Sequence, residues 1–182
     1  TYSNGTITKA SGVTENSGAY PLAKLSATPL LDPVGQADVI DFNRFLQDDL
    51  TDFLGEVFAL CRREKVDFIL AVGGGSVIDS AKAIAFGATY DGDFTDHAFG
   101  KDTKVMTPVP SALPIGTVLT IAAAGSEGSC NSIISLGEKK LKRTITGDRL
   151  RPRFSILNPE FTFTLPPYQT ACGLADIFAH VV

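Results

Sequence analysis

A short apolar run that leads directly into a cluster of glycines constrains the fold more than any other feature of this sequence. Residues 66–72 are apolar apart from Asp67, and glycines occupy positions 73–75. Such runs are typical of strands in a parallel sheet that is covered on both faces. The apolar residues that follow have helical spacing: Val77, Ile78, Ala81, Ile84 and Ala85. The sequence therefore predicts a strand, a tight glycine turn and a helix in succession.

Other elements are predicted on either side of this unit. Apolar side chains recur at three- and four-residue steps between Phe42 and Cys61, with Asp41 as a natural N-cap, which indicates a long amphipathic helix. The first 38 residues show only weak strand patterns, at 2–7 and 22–31. Further strands are predicted at 113–121, 131–136 and 154–157, and a last helix near Tyr168 after two prolines; the basic segment 139–153 has little apolar periodicity. This order predicts an α/β fold, a Rossmann-like, mainly parallel sheet with flanking helices.

The glycine turn has a chemical consequence. A helix that begins directly after glycines exposes backbone N–H groups at its positive end, without side chains that would keep a phosphate away. This favours a diphosphate site at the turn. The pattern matches neither the lysine-bearing GxxxxGK[ST] loop nor the spaced GxGxxG fingerprint. A tight strand-to-helix turn without a ligand therefore remains an alternative.

Three polar residues follow the turn. Ser76 is expected to be the N-cap of the new helix, and Asp79 three residues later completes a capping-box pattern. Lys82 can reach back toward a bound anion, and the alternative is a solvated lysine on an exposed helix face.

A carboxylate and an imidazole near the end of the sequence have the spacing of a metal pair. Asp176 and His180 are four residues apart, so on a helix both side chains leave the same face and can converge on one ion. This donor set suits zinc or ferrous iron, but an isolated pair of this kind is more often a surface hydrogen bond or ion pair. The other histidine, His97, is expected to be a solvated loop residue.

The composition narrows the class of partner. A formal net charge of −4 argues against nucleic acid and anionic membranes, which need a basic excess, and indicates small-molecule partners. No apolar run reaches the roughly 18 to 20 residues that span a bilayer, and no signal-peptide pattern is seen, so we expect a cytoplasmic protein. The cysteines form no CxxC pair and are interpreted as reduced, small buried side chains: Cys61, Cys130 and Cys172.

Several segments of the sequence resemble a known family. The stretch from Leu70 to Lys82 looks like the cofactor motif of iron-containing alcohol dehydrogenases. Residues 113–120, 125–127 and 131–135 are similar to the second conserved block of that family, and residues 154–180 resemble the stretch that leads into its metal site. The similarity is greatest to the branch of butanol dehydrogenases and broad-range aldehyde reductases.

The resemblance implies a function and a set of site residues. The implied reaction is the reversible reduction of an aldehyde to an alcohol with NAD or NADP, with iron or zinc polarising the carbonyl. Asp79 would lie near the nicotinamide and the substrate as the catalytic residue, and Asp176 and His180 would be the first two metal ligands. The implied cofactor contacts are Gly74, Gly75, Ser76, Asp79, Thr117, Thr120 and Lys142.

The resemblance also implies how the chain is divided. Residues 1–165 would form a dinucleotide-binding α/β domain, and residues 166–182 the first helix of an all-helical metal-binding domain that is truncated. The sequence opens on Thr1 and closes inside a helical pattern, so we interpret it as a fragment that is inactive alone. In the family, two further histidine ligands come from beyond residue 182, and a homodimer is expected for the full-length protein.

Three positions depart from the family pattern. Ala124 stands where a threonine usually precedes Gly-Ser-Glu, Ser129 where asparagine is common, and Asn158 where aspartate usually precedes the proline. The missing hydroxyl at Ala124 removes an expected contact with the cofactor. Two alternatives therefore stay open: a catalytically silent dinucleotide-binding module, and a relative that uses NAD differently, such as a glycerol dehydrogenase or a dehydroquinate synthase.

Overall fold

A computed structural model describes residues 2–3, 6–7, 50–99, 107–136 and 141–182 of the chain. The chain divides into two compact units, Thr1–Asp48 and Asp49–Val182. In the first unit, the described strands β1 (Tyr2–Ser3) and β2 (Thr6–Ile7) pair antiparallel. The predicted helix start at Asp41 and the strand pattern at 22–31 lie outside the described residues.

A three-stranded parallel sheet is the centre of the second unit. It contains β3 (Ile69–Gly73), β4 (Ile115–Leu119) and β7 (Phe154–Ile156), with β4 in the middle. All three strands were predicted, and the parallel arrangement of the sheet is confirmed. The predicted ranges 66–72, 113–121 and 154–157 are longer than the observed strands, because the apolar runs include residues that do not pair with a neighbouring strand. At its C-terminal end β3 extends one residue beyond the prediction, to Gly73.

Gly116 shows why the central strand needs a residue without a side chain. Two aromatic rings, those of Phe68 and Phe154, stack at a centroid separation of 5.9 Å on this face of the sheet. A Cβ atom on Gly116 would lie 2.5 Å from the ring of Phe154 and 2.9 Å from that of Phe68. Both distances are much shorter than van der Waals contact, so the stacked rings of Phe68 and Phe154 require glycine at this position.

Two helices flank the parallel sheet. The helix α1 (Leu50–Arg63) packs on α2 (Gly75–Gly87), and α2 contacts β3 and β4. Ile78 and Ala81 of α2 form a buried cluster with Ala71 and Leu119 of the sheet. Every residue of α2 from Ile78 to Gly87 is buried, which makes this helix the centre of the core.

The opposite face of the sheet carries exposed apolar side chains: Phe68, Leu70, Val72, Phe154 and Ile156. The expectation that β3 is covered on both faces is therefore wrong for this chain, since Leu70 is 50% exposed. The physical reason is that α2 buries only the side chains on the Ala71 face, and strand side chains alternate between faces.

A second, antiparallel pair of strands packs against α2. It consists of β5 (Asn131–Leu136) and β6 (Leu141–Thr146). The first of these strands was predicted with the same bounds. The second strand was missed, because its segment is basic and has no regular apolar pattern, although Ile145 within it is fully buried. Pairing with β5, rather than an apolar period of its own, makes this segment a strand.

The last helix, α3 (Pro167–Val181), begins one residue before the predicted position. Pro167 occupies its first turn, where a missing N–H costs nothing. Gly173 is buried, while Phe178 and Val181 are exposed. Among the described residues, no helix combines the length and the apolar character needed to cross a bilayer.

Candidate functional site

The glycine turn joins β3 to α2 directly. Gly73 ends the strand, Gly74 is the N-cap with φ −88° and ψ −170°, and Gly75 is the first residue of the helix. The N–H of Ile78 donates to the Gly74 carbonyl at 3.1 Å, which closes the first helical turn. The prediction of Ser76 as N-cap is therefore wrong. The helix begins earlier because the extended conformation of Gly74 starts it without any side-chain cap.

The glycine turn packs closely on the segment that follows β4. A Cβ atom on Gly74 would lie 2.5 Å from Ile121 Cγ2, and one on Gly75 would lie 3.3 Å from Ser126 Oγ. The backbone therefore packs closely on the segment after β4, while Ser76 is exposed. Because the first N–H groups of a helix have no acceptor within it, and no side chain caps this helix, the described residues fit a dinucleotide phosphate at this turn.

Asp79 lies one turn further along α2, and its predicted capping role is wrong. Its side chain points into the protein instead of back to the helix start. The residue is 8% exposed, and its Oδ2 accepts a hydrogen bond from the Ile133 N–H at 3.1 Å. Its other oxygen, Oδ1, is buried without a hydrogen-bond donor among the described residues. Burial raises the pKa of Asp79, although the Ile133 N–H and the Lys82 ammonium act to lower it.

Lys82 is fully buried, so the interpretation of a solvated lysine is wrong, while contact with a bound anion stays a prediction. Its ammonium nitrogen donates to the carbonyl oxygens of Ser126 and Asn131, each at 2.7 Å. It lies 3.8 Å from Asp79 Oδ1. Burial lowers the pKa of Lys82, and the nearby Asp79 carboxylate acts against this shift.

The three other predicted cofactor contacts lie in different surroundings. Thr120 lies beside the glycine turn, since its N–H donates to the Gly73 carbonyl at 3.1 Å. Thr117 is fully buried on β4, and its hydroxyl donates to Ser155 Oγ at 2.8 Å. Lys142 is exposed on β6. The structure thus brings Thr120 next to the glycines but directs the Thr117 hydroxyl toward β7, and the cofactor roles of all three stay predictions.

Asp176 and His180 come together on α3 as their spacing predicts. His180 Nδ1 lies 3.6 Å from Asp176 Oδ1 and 2.8 Å from the Asp176 backbone oxygen. Both side chains are about half exposed. Metal-binding histidines usually donate one ring nitrogen to a carbonyl or carboxylate, which leaves the other for the metal. The described part of the chain contains no group of three or more candidate ligands, so the pair fits as part of a site, and its metal role stays a prediction.

Two expectations about histidine and cysteine are corrected. His97 is buried, not solvated: its ring lies edge-on to those of Phe86 and Tyr90, at 5.1 and 5.0 Å. A short 3-10 helix at Phe94–His97 turns the imidazole inward. Among the cysteines, Cys61 is buried as expected, but Cys130 is only half-buried and Cys172 is exposed on α3.

The comparison with known families decides the identity. The family model described as iron-containing alcohol dehydrogenase matches residues 24–159, well over half of the chain. The chain belongs to the iron-containing alcohol dehydrogenase family. The resemblance drawn from residues 70–82 is thereby confirmed.

Two curated relatives place the chain within this alcohol dehydrogenase family. It is 51% identical over 122 residues to the probable NADH-dependent butanol dehydrogenase 2 of Bacillus subtilis (strain 168), covering 67% of the chain and 30% of that protein. It is 37% identical over 157 residues to the NADPH-dependent aldehyde reductase YqhD of Escherichia coli (strain K12), covering 84% of the chain and 39% of that protein. These matches confirm the predicted butanol dehydrogenase and aldehyde reductase branch.

A solved structure of the family agrees with the fold. The chain aligns with NADH-dependent butanol dehydrogenase A from Thermotoga maritima at a TM-score of 0.65 and 41% identity, covering 72% of the chain and 32% of that structure. The chain therefore spans about a third of the length of the relatives that it matches. The Rossmann-like fold is confirmed, while the boundary at residues 165 and 166 stays a prediction.

Two of the three departures from the family pattern have a clear local role. Ser129 Oγ accepts a hydrogen bond from Lys82 Nζ at 3.0 Å. Asn158 Oδ1 accepts one from the Glu160 N–H at 3.0 Å and so caps the 3-10 helix Pro159–Thr162. Ala124 is exposed, and whether it weakens cofactor binding stays a prediction.

Proposed function

We propose that the chain is the cofactor-binding part of an NAD(P)-dependent, metal-dependent oxidoreductase that interconverts alcohols and aldehydes by hydride transfer. One observation carries the proposal: an uncapped helix begins on Gly74 and Gly75, whose backbone packs against Ile121 and Ser126. This geometry fits a dinucleotide diphosphate. The membership of the family and the names of the butanol dehydrogenase and aldehyde reductase relatives support the reaction class.

The residues of the chain divide the work of binding and orientation. The backbone N–H groups from Gly74 to Ser76 bind the pyrophosphate at the positive end of α2. Thr120, bonded to Gly73, holds the end of β4 beside the turn. Asp79 is the candidate for contact with the nicotinamide or the substrate, since its Oδ1 has no donor among the described residues and a buried acceptor gains from one. The bound nicotinamide supplies the hydride chemistry.

Asp176 and His180 are the proposed metal ligands of this chain. A carboxylate oxygen and an imidazole nitrogen suit iron or zinc, and the ring of His180 is already oriented by its Nδ1 contact with Asp176. A divalent cation bound there supplies Lewis-acid polarisation of the carbonyl. Catalytic metal sites have at least three protein ligands, so the remaining ligands would come from elsewhere in the full-length protein.

Titration with NADH and NADPH tests the proposed function on this chain. We expect binding that is weakened at least about tenfold by Gly74→Ala, because the added methyl group collides with Ile121 and displaces the turn. Gly55→Ala is the matched control, since a Cβ there meets nothing within 4 Å. Equal affinity of the Gly74→Ala variant and the wild type would contradict the assignment of the turn. Failure of the metal-loaded full-length protein to oxidise NAD(P)H with short aldehydes would contradict the reaction.

A catalytically silent dinucleotide-binding module is the second candidate. Two observations favour it: the described residues contain no group of three candidate metal ligands, and Ala124, which is exposed, lacks the expected hydroxyl. Binding of the dinucleotide by the full-length protein without any turnover, with or without metal, would support this candidate over an active oxidoreductase. A homodimer in the full-length protein and a cytoplasmic location are further parts of the proposal.

A further inference from the structure

The segment 126–131, called loop 126–131 below, leads into β5 and is bonded by several neighbouring elements. Five of its backbone carbonyls accept hydrogen bonds from groups outside the loop: those of Ser126, Glu127, Gly128, Cys130 and Asn131. Loops usually carry backbone groups that bond to water. This one is instead held at nearly every peptide, which indicates that its position is important.

Lys82 supplies the central bonds. Its ammonium donates to the carbonyls of Ser126 and Asn131, each at 2.7 Å, and to the Ser129 hydroxyl at 3.0 Å. An ammonium group has three donors, and each of them is used within this one loop. Lys82 therefore joins both ends and the middle of the loop to the core helix α2.

A second set of hydrogen bonds reaches the loop from β7 and from the segment just before it. Ser155 Oγ donates to the Glu127 carbonyl at 2.7 Å and accepts from the Thr117 hydroxyl. Arg151 donates to the Gly128 carbonyl. Thr117, predicted as a direct cofactor contact, thus acts on the loop through Ser155.

The loop lies against the glycine turn. A Cβ atom on Gly75 would lie 3.3 Å from Ser126 Oγ, so the first helical residue and the first loop residue are in contact. Gly125, just before the loop, has φ +75°, a left-handed conformation that favours glycine. Beyond the loop, the Ser132 hydroxyl donates to the Asp79 carbonyl at 2.6 Å. Loop 126–131 therefore lines one side of the glycine turn and is held against α2 by hydrogen bonds.

A purely structural explanation of Lys82 accounts poorly for this pattern. Burying an ammonium group is costly, and an apolar side chain of similar volume often gives equal or greater stability. The acceptors in the loop are backbone carbonyls and one hydroxyl, and the carboxylate oxygen Oδ1 of Asp79 lies 3.8 Å from the ammonium, beyond hydrogen-bond distance. What the charged group adds is a defined loop position.

We propose that Lys82 is a positioning residue, whose buried ammonium sets loop 126–131 against the glycine turn and so fixes one wall of the dinucleotide site. The inference rests on the proposed function, because it assigns the wall to the same cofactor. Lys82 acts through the loop and does not itself touch the cofactor.

The test is Lys82→Met in the full 182-residue chain, read out in two ways. Amide hydrogen exchange measures the loop without any ligand, and the Ser129 N–H, which donates to the Ser126 carbonyl at 3.3 Å, should exchange faster. Titration with NADH should show affinity reduced by at least about tenfold. Both measurements are made at a temperature where circular dichroism shows the variant folded.

Ile84→Ala is the matched control. Ile84 lies on the same helix and is 2% exposed. Its side chain has no hydrogen-bond donor, so its truncation lowers the stability without removing a hydrogen bond to the loop. Loss of stability alone would weaken NADH binding in both variants, whereas positioning by Lys82 weakens it in Lys82→Met only. Where Lys82→Met does not fold, Ser129→Ala removes one acceptor of the same ammonium and should give a smaller change of the same kind.

The outcomes separate this inference from the proposed function. Faster loop exchange together with weaker NADH binding, in Lys82→Met but not in Ile84→Ala, supports it. A wild-type chain that binds NADH while Lys82→Met binds it equally well overturns the role of Lys82 and leaves the proposed function intact. A wild-type chain that binds neither NADH nor NADPH overturns both.

Discussion

The buried carboxyl group of Asp79 makes the stability of the chain depend on pH. Burial raises its pKa above the ordinary value of 3.8, so the folded chain keeps a proton that the unfolded chain has already released. Because the folded state then binds more protons than the unfolded state, the free energy of unfolding falls as the pH rises from about 3.8 through the raised pKa. Asp79 therefore contributes a cost at neutral pH that is absent in acid.

Replacement of Asp79 by asparagine tests this at a single residue. Asp79→Asn cannot ionise, so the difference in unfolding free energy between the variant and the wild type should shift in favour of the variant as the pH rises from the ordinary pKa of 3.8 through the raised pKa. Urea denaturation at each pH gives this difference. The exposed Asp96 supplies the matched control, Asp96→Asn. A difference that stays constant with pH would show that the Asp79 carboxyl titrates normally.

Residue roles were the part of the site that the sequence predicted least well. The pattern of Ser76 and Asp79 matches a capping box locally, but the hydrogen bonds that Asp79 accepts from outside its helix come from Ser132 and Ile133, 53 and 54 residues away. Lys82 is likewise bonded 44 to 49 residues along the chain. Contacts at such separations leave no local signature, so a local pattern suggested the wrong role for these side chains.

At the scale of elements, the close contact between α3 and the segment after β4 limits where Asp176 and His180, the proposed metal ligands, can lie. A Cβ atom on Gly173 would collide with the backbone oxygen of Ala122, and a backbone atom cannot rotate away as a flexible side chain can. Gly173 is buried on α3, three residues before Asp176. The position of Asp176 and His180 therefore depends on the close contact between Gly173 and the Ala122 backbone.

Gly173→Ala should push α3 away from the Ala122 segment. The expected results are faster amide hydrogen exchange along α3 and a lower midpoint of thermal unfolding, with a cost of about 1–3 kcal/mol for overpacking. Gly55→Ala, also in a helix but in open space, should stabilise by roughly 0.5–1 kcal/mol, since alanine is the better helix former. Equal exchange of α3 in wild type and Gly173→Ala would mean that the helix does not depend on this contact.

Elements with a strong local pattern were predicted well. The strand β3, the glycine turn and α2 followed from apolar spacing and from three adjacent glycines, and β5 was predicted with its observed bounds. The strand β6 was missed because only its pairing with β5 defines it. The exposed face of β3 was also not predicted, since a continuous apolar run does not indicate which element packs on each face of the strand.

For the whole molecule, the ligand set of the proposed metal site is the decisive quantity. The chain spans about a third of the length of its relatives, and the described residues contain a pair of candidate ligands but no group of three. Two ligands hold a transition metal less firmly than the three or four of a closed or catalytic site. Affinity for metal therefore measures how much of the site this chain contains.

We expect the 182-residue chain to bind Zn²⁺ weakly and at the α3 pair. Isothermal titration calorimetry should show a single weak site that is lost in His180→Ala, because the imidazole nitrogen is one of its two donors. Cys172→Ser is the matched control: it removes an exposed thiol on the same helix, and thiolates also bind zinc. Weak binding that survives His180→Ala but disappears in Cys172→Ser would assign the ion to the thiol. Binding as tight as that of a complete site would instead show that the chain supplies a third ligand, and that the pair of Asp176 and His180 is not the limit of its metal site.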